Sequence, residues 1–216
     1  MIIYHGSILK IEKPTLKKGK PTNDFGKGFY CTNDIEKAKE WACKEDTNGY
    51  ANCYEINLNN LRVLDLTSKE YNVLNWIEIL LKNRTFNINN PIAYEAKKYL
   101  EKYYIDTTKY DVVIGYRADD SYFSYAQNFL ENSLSINNLE KAMKLGNLGT
   151  QIVLISEKAF KNLKYLNSIE VDKTIYYEKF ISNDSKAREG YISIKSNKDD
   201  IYILDIIRQD GKHESV

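Results

Sequence analysis

Apolar residues along this chain follow two rhythms. Short β-branched and aromatic runs at 2–5, 29–32, 52–58, 62–66, 111–116 and 151–155 read as strands; 52–58 alternates between a buried and a solvated face, whereas 111–116 is almost continuously apolar. Between these runs, apolar positions recur every three or four residues and predict helices. The first carries Ile35, Ala38, Trp41 and Ala42 behind a cap drawn from Thr32, Asn33 or Asp34. A second is predicted from a Ser68 cap to about Lys82, with Val73, Leu74, Ile77, Leu80 and Leu81 on one broad face. Pro91 suits the first turn of a third, whose Ile92, Ala96, Tyr99, Leu100 and Tyr103 share a side. Helical patterns follow the 111–116 strand through Leu145, a short helix is predicted from Ser156 to about Leu163, and a long polar one between Lys173 and Tyr191. The last apolar run, 201–207, fits a strand or a buried helical turn equally.

Strands at both ends with helices between them give an α+β class. No repeat, low-complexity tract or clean linker divides the sequence, so one domain over 1–216 is expected, with a C-terminal extension from about 157. A hydrophobic content of 43% in 216 residues is enough for a real core. Lys and Arg number 31 against 30 Asp and Glu, a net charge of +1, so any polyanionic partner must be held by a local patch and not by a global field. No run approaches the roughly 20 apolar residues that span a bilayer, and the first residues lack a signal peptide's pattern; a cytoplasmic protein with no membrane partner is expected. Cys31, Cys43 and Cys53, with His5 and His213 as the only imidazoles, make a poor metal set, so no metal is expected and the thiols read as reduced and packed.

The chemistry concentrates near the N-terminus. Tyr4-His5-Gly6-Ser7 brings one of the two histidines to the end of a strand, and the glycine-rich turn of Asp24-Phe25-Gly26-Lys27-Gly28 leads into the strand Phe29-Tyr30-Cys31-Thr32. The turn is no Walker loop, since no Gly-Lys-Ser/Thr follows a longer glycine spacing. Trp41 lies eleven positions after Tyr30. A late strand opens on its only polar residue, Gln151.

In this order, Tyr4-His5-Gly6-Ser7, Phe25-Gly26-Lys27-Gly28-Phe29-Tyr30 and Trp41 resemble the signature of ADP-ribosyltransferases of the diphtheria-toxin and poly(ADP-ribose) polymerase type, and of a little-characterised bacterial family of transferase-like proteins. The resemblance implies a split, mainly antiparallel sheet with inserted helices, clasping NAD as substrate. His5, Tyr30 and Gln151 would form the catalytic set, with Gln151 where the family usually has glutamate. His5 would hydrogen-bond the adenosine ribose, Gly6 would offer its backbone N–H and C=O to the carboxamide, Tyr30 and Trp41 would sandwich or flank the nicotinamide ring, and Ser7, Gly28 and Phe29 would also belong to the NAD-binding residues. Ala38 stands where poly(ADP-ribose) polymerases have a serine for the amide. Arg84 and Arg117 are candidates for the pyrophosphate, and Asp119 and Asp120 for activating an acceptor, because an amide such as Gln151 takes no proton at neutral pH.

The expectation is mono-ADP-ribosylation of a macromolecule, protein or nucleic acid, and by the same resemblance a bacterial intracellular toxin with a neutralising antitoxin protein. Two alternatives stand beside it: an NAD- or ADP-ribose-binding module without turnover, and an interaction domain in which His5 and the glycines are structural. RNA 2′-phosphotransfer, which also starts on NAD, asks for a further histidine, and none is suitably spaced.

Overall fold

The structure is a computed structural model that describes residues 1–117, 120–143, 149–194 and 196–213. It is an α+β assembly of two sheets. The first is antiparallel, in the order β1 (Ile2–Ser7), β3 (Gly49–Ile56), β7 (Leu163–Val171). The second orders β2 (Phe29–Cys31), β6 (Thr150–Leu154), β5 (Val112–Tyr116) and β4 (Val63–Asp65), and is mixed because β4 runs parallel to β5. Among the described residues one backbone bridge links the sheets, and Ile3, Tyr54, Phe29 and Ile152 pack in one core between them. Tyr4 and Thr32 exchange two backbone hydrogen bonds, of 2.8 and 2.9 Å, and beyond that bridge β1 and β2 diverge.

Local chemistry explains most elements. Asp34 supplies the cap of α1 (Ile35–Ala42), its carboxylate accepting from the Glu36 and Lys37 amides. Helix α2 (Val73–Asn83) starts at an Asn72 and Asn75 capping box and not at Ser68, which closes a turn through its carbonyl to the Tyr71 amide. Asn90 and Pro91 start α3 (Pro91–Leu100). Its buried stripe is Ala93, Ala96 and Leu100, whereas Ile92, expected on that side, is 36% exposed. After β5 come α4 (Asp120–Leu130) and α5 (Ile136–Ala142). Ser156 caps α6 (Glu157–Lys161), α7 spans Lys173–Ile192, and the undecided terminal run is helix α8 (Ile203–His213).

One strand is absent from the sequence reading. Leu163, the expected end of a helix, begins the nine-residue β7, an edge strand bulged where it faces Cys53 and Tyr54. Only Val171 of it is buried, so it has little apolar alternation to betray it, and pairing with β3 makes it a strand. The main core lies among α2, α3, α4 and the inner face of the second sheet, around Trp76, Ile77, Leu80, Leu100, Phe129 and Leu130. All three cysteines are free and buried.

Candidate functional site

The divergence of β1 from β2 opens a cleft of about 1000 Å³. His5 and Gly6 from β1, Tyr30 from β2, Gln151 from β6 and Trp41 from α1 all line it. Residues 127 positions apart thus become neighbours, for Gln151 Nε2 donates to Asp24 Oδ2 at 3.0 Å.

His5 lies against the Phe29 ring, with centroids 4.3 Å apart and planes 29° from parallel. Its Nδ1 sits 2.7 Å from the Tyr30 carbonyl oxygen. A carbonyl can only accept, so Nδ1 carries the proton and Nε2 is the ring's acceptor. Burial lowers the His5 pKa, outweighing that hydrogen bond, and the imidazole is neutral at pH 7. The Tyr30 hydroxyl donates to the Gly26 carbonyl at 2.6 Å and accepts from the Phe25 amide at 3.1 Å. It thereby closes the glycine turn in which Gly26 takes φ +73°. Burial raises the Tyr30 pKa well above an ordinary phenol's, so it serves as a hydrogen-bonding ring and not as a base.

Gly6 is required by helix packing as much as by any ligand. A Cβ there would fall 2.1 Å from the Ala38 carbonyl oxygen and 2.9 Å from the Trp41 Cβ, so the missing side chain is what lets α1 lie on β1. Ala38 is fully buried in that contact. Ser7 is not among the cleft residues; its hydroxyl accepts from the Leu9 amide and shapes the next turn. Gly28 and Phe29 do border the cleft, and a Cβ on Gly28 would meet Val153 Cγ1 at 2.5 Å.

The two arginines also line the cleft, and each has a protein partner. Arg84 Nη1 lies 2.7 Å from Asp24 Oδ1, and the Arg117 guanidinium covers the Trp41 ring at 4.3 Å from its centroid. Asp119 lies outside the described residues, and Asp120 begins α4.

Four contributors went unread in the sequence. Asp24 had no motif to mark it, yet it is 5% exposed and holds both Arg84 and Gln151. Asn52, fully buried on β3, donates to the His5 and Leu9 carbonyls and accepts from the Ile11 amide and the Ser168 hydroxyl, fixing the segment that follows β1. That segment brings Lys10, Lys13, Lys18 and Lys20, all exposed, to the mouth. Phe180 of α7 forms part of the wall. Helix α7 reaches the site by gripping α1: Asn183 donates to Glu40 at 3.0 Å, Lys39 to the Tyr176 hydroxyl at 3.2 Å and Lys179 to Glu36 at 3.1 Å.

A second hollow of about 590 Å³, bordered by Met1, Asn57, Asn162 and Lys164, gathers no comparable set of groups. Among the described residues no three His, Cys, Asp or Glu side chains converge as metal ligands, and no helix is long and apolar enough to cross a membrane.

Compared with known families, residues 1–165 match the family described as Protein of unknown function (DUF3990). The chain belongs to that family. The matched span ends before α7, so the family's shared part carries His5, Tyr30, Trp41 and Gln151, while Phe180 and the helix that grips α1 lie beyond it. No curated protein and no solved structure matches the chain.

Proposed function

We propose that this protein binds NAD in the cleft between its two sheets and transfers ADP-ribose to a macromolecular acceptor, releasing nicotinamide, on a fold of the ADP-ribosyltransferase kind. The observation that carries the reading is the convergence of His5, Tyr30 and Gln151, from three separate strands, on one cleft. It is joined by a chemical match. His5 offers Nε2 as an acceptor, and Gln151 Oε1 is a buried acceptor with no hydrogen-bond partner among the described residues. These two acceptors suit a ligand rich in hydroxyl donors, such as the two riboses of NAD. The aromatic faces of Tyr30 and Trp41 suit the flat nicotinamide ring, and the lysines at the mouth suit a pyrophosphate.

In the reaction the bond from ribose C1′ to the nicotinamide nitrogen breaks, and its electron pair leaves with the ring, which becomes neutral. The acceptor's lone pair closes on C1′ and its proton passes to solvent or a nearby carboxylate. The site's task is to hold the ribose while C1′ gains positive character, much as in glycoside cleavage. His5 and Gln151 hold hydroxyls, Tyr30 braces the turn, and Trp41 borders the leaving ring. The toxin and antitoxin reading rests on the resemblance alone; growth arrest on expression in a bacterial cell, abolished by His5→Ala, tests it.

A second reading, NAD or ADP-ribose binding without turnover, is favoured by the amide at Gln151 and by the engagement of Arg84 with Asp24. Purified protein incubated with NAD and a cell lysate separates the two. Nicotinamide release together with an ADP-ribose mass shift on a lysate component is expected; saturable binding with neither would leave the binding module, and no binding would overturn both.

A further inference from the structure

We infer that Asp24 is the positioning residue that turns the Gln151 amide so that its oxygen, and not its nitrogen, is offered to the ligand. The inference rests on the NAD reading for the identity of that ligand, and on geometry for the orientation. Asp24 Oδ2 lies 3.0 Å from Gln151 Nε2, and Asp24 Oδ1 lies 2.7 Å from Arg84 Nη1. A carboxylate paired with a guanidinium can only accept, so the amide must present its NH2 to Asp24. Oε1 then points the other way and has no hydrogen-bond partner among the described residues, although Gln151 is only 4% exposed. A buried acceptor left open in this manner is costly unless a ligand donor fills it.

Asp24 is itself held by α2, whose Asn83 donates to the Asp24 carbonyl at 3.2 Å and whose C-cap residue is Arg84. The Asp24 charge is therefore coupled to the offered Gln151 oxygen through one hydrogen bond to the same amide. Gln151 acts as one oxygen of a carboxylate, without the charge.

The same geometry works against the family's usual glutamate. Gln151→Glu would set two carboxylates about 3 Å apart, so one would have to take up a proton or move. Installing the glutamate should therefore impair the site unless Asp24 becomes an amide in the same molecule. Other ionisable groups around the pair are Arg84, Tyr30, Arg117, His5, and Glu12 with the lysines of the mouth. Burial lowers the His5 pKa from 6.5, and because every variant retains His5 its contribution cancels in the comparison.

The test uses full-length wild type, Gln151→Glu, Asp24→Asn and the double swap Asp24→Asn/Gln151→Glu. Each is measured from pH 5 to 8 by thermal unfolding and by NAD binding. Expected for Gln151→Glu is roughly tenfold weaker NAD binding at pH 8, with a lowered melting temperature, both recovering toward pH 5. The double swap should restore both at pH 8, because the NH2 of the introduced asparagine can donate to the introduced carboxylate. Wild-type affinity and melting profile in Gln151→Glu, or no rescue by the swap, would overturn the inference. Should wild type bind no NAD, the NAD reading falls, and the unfolding curves still decide the orientation on their own.

Discussion

Asp24 and Glu78 are both buried carboxylates, and the regions around them behave in opposite ways. Glu78 lies inside the helical half, 1% exposed on α2, where its one ion-pair partner among the described residues is Lys82, 45% exposed and 3.3 Å away on the next turn. Burial raises the Glu78 pKa against the pull of Lys82. Asp24 lies under the cleft and accepts from Arg84 and Gln151, which also face that cleft. A buried acid alone therefore does not mark a site. Its partners and the direction they point do, because the Glu78 ion pair leads away to a half-exposed lysine, whereas Asp24 holds polar groups that line the cleft with an acceptor still unfilled.

The contrast predicts that the helical half sets stability and the cleft sets binding. Trp76→Ala should have the largest effect on folding. Trp76 is 1% exposed and its Nε1 donates to the Tyr116 carbonyl at 3.2 Å, so about 4 kcal/mol should be lost in urea unfolding. Asn52→Ala tests the border between the regions. It leaves the Ile11 amide and the His5 and Leu9 carbonyls without their partner, which should cost about 3 kcal/mol and raise hydrogen exchange at Ile11. A neutral result would show that the segment after β1 is held by other means, such as the Tyr54 hydroxyl on the Ile11 carbonyl.

His5→Ala should do the reverse. Calorimetry is expected to show NAD affinity falling at least tenfold, about 1.4 kcal/mol, while the protein stays folded; an unchanged affinity would remove His5 from the site. Once the carboxyl is ionised, Glu78→Leu should stabilise the helical half by about 1 kcal/mol, since apolar volume then replaces a buried carboxylate whose ion pair with Lys82 does not offset its burial. The sign follows from the raised pKa. The folded state holds the Glu78 proton more tightly, so the wild type carries no penalty below about pH 4.5, its ordinary value, and the full penalty above its raised one. The gain from leucine should grow with pH across that window in melting curves.

The smallest expected effect concerns His5. Its pKa is lowered from 6.5, so the unfolded chain takes up the proton first, and this contribution to stability is complete above about pH 6.5 and fades as pH falls toward the lowered value. His5→Asn should flatten the slope between pH 6.5 and 5. Asp111 and Asp172, whose pKa values are lowered by their hydrogen bonds, act only below about pH 4, and the Glu78 titration, which runs upward from about pH 4.5, is common to both proteins and cancels in the comparison.

Most helices were legible because each carries its own chemistry: the Asp34 cap, Pro91 at a first turn, the Ser156 cap. Strand β7 is hidden because its exposed edge has almost no buried face, and the start of α2 is ambiguous in the sequence because Ser68 and Asn72 are both competent caps. In the candidate site, His5, Gly6, Tyr30 and Trp41 were legible as an ordered set near the N-terminus. Asp24 stands in that stretch, but an isolated aspartate before a glycine turn reads as turn chemistry.

The amino-acid sequence by itself determined most local pieces: most of the segments that form helices, that the class is α+β, and that one histidine and one glycine turn stand together near the start. The tertiary structure alone decided what those pieces face. Bringing Gln151 to Asp24 over 127 positions, and both to Arg84 at the end of α2, depends on β6 pairing between β2 and β5. No local pattern encodes it, because strand partners are chosen by the burial of both sheets together and not by the residues of either strand alone.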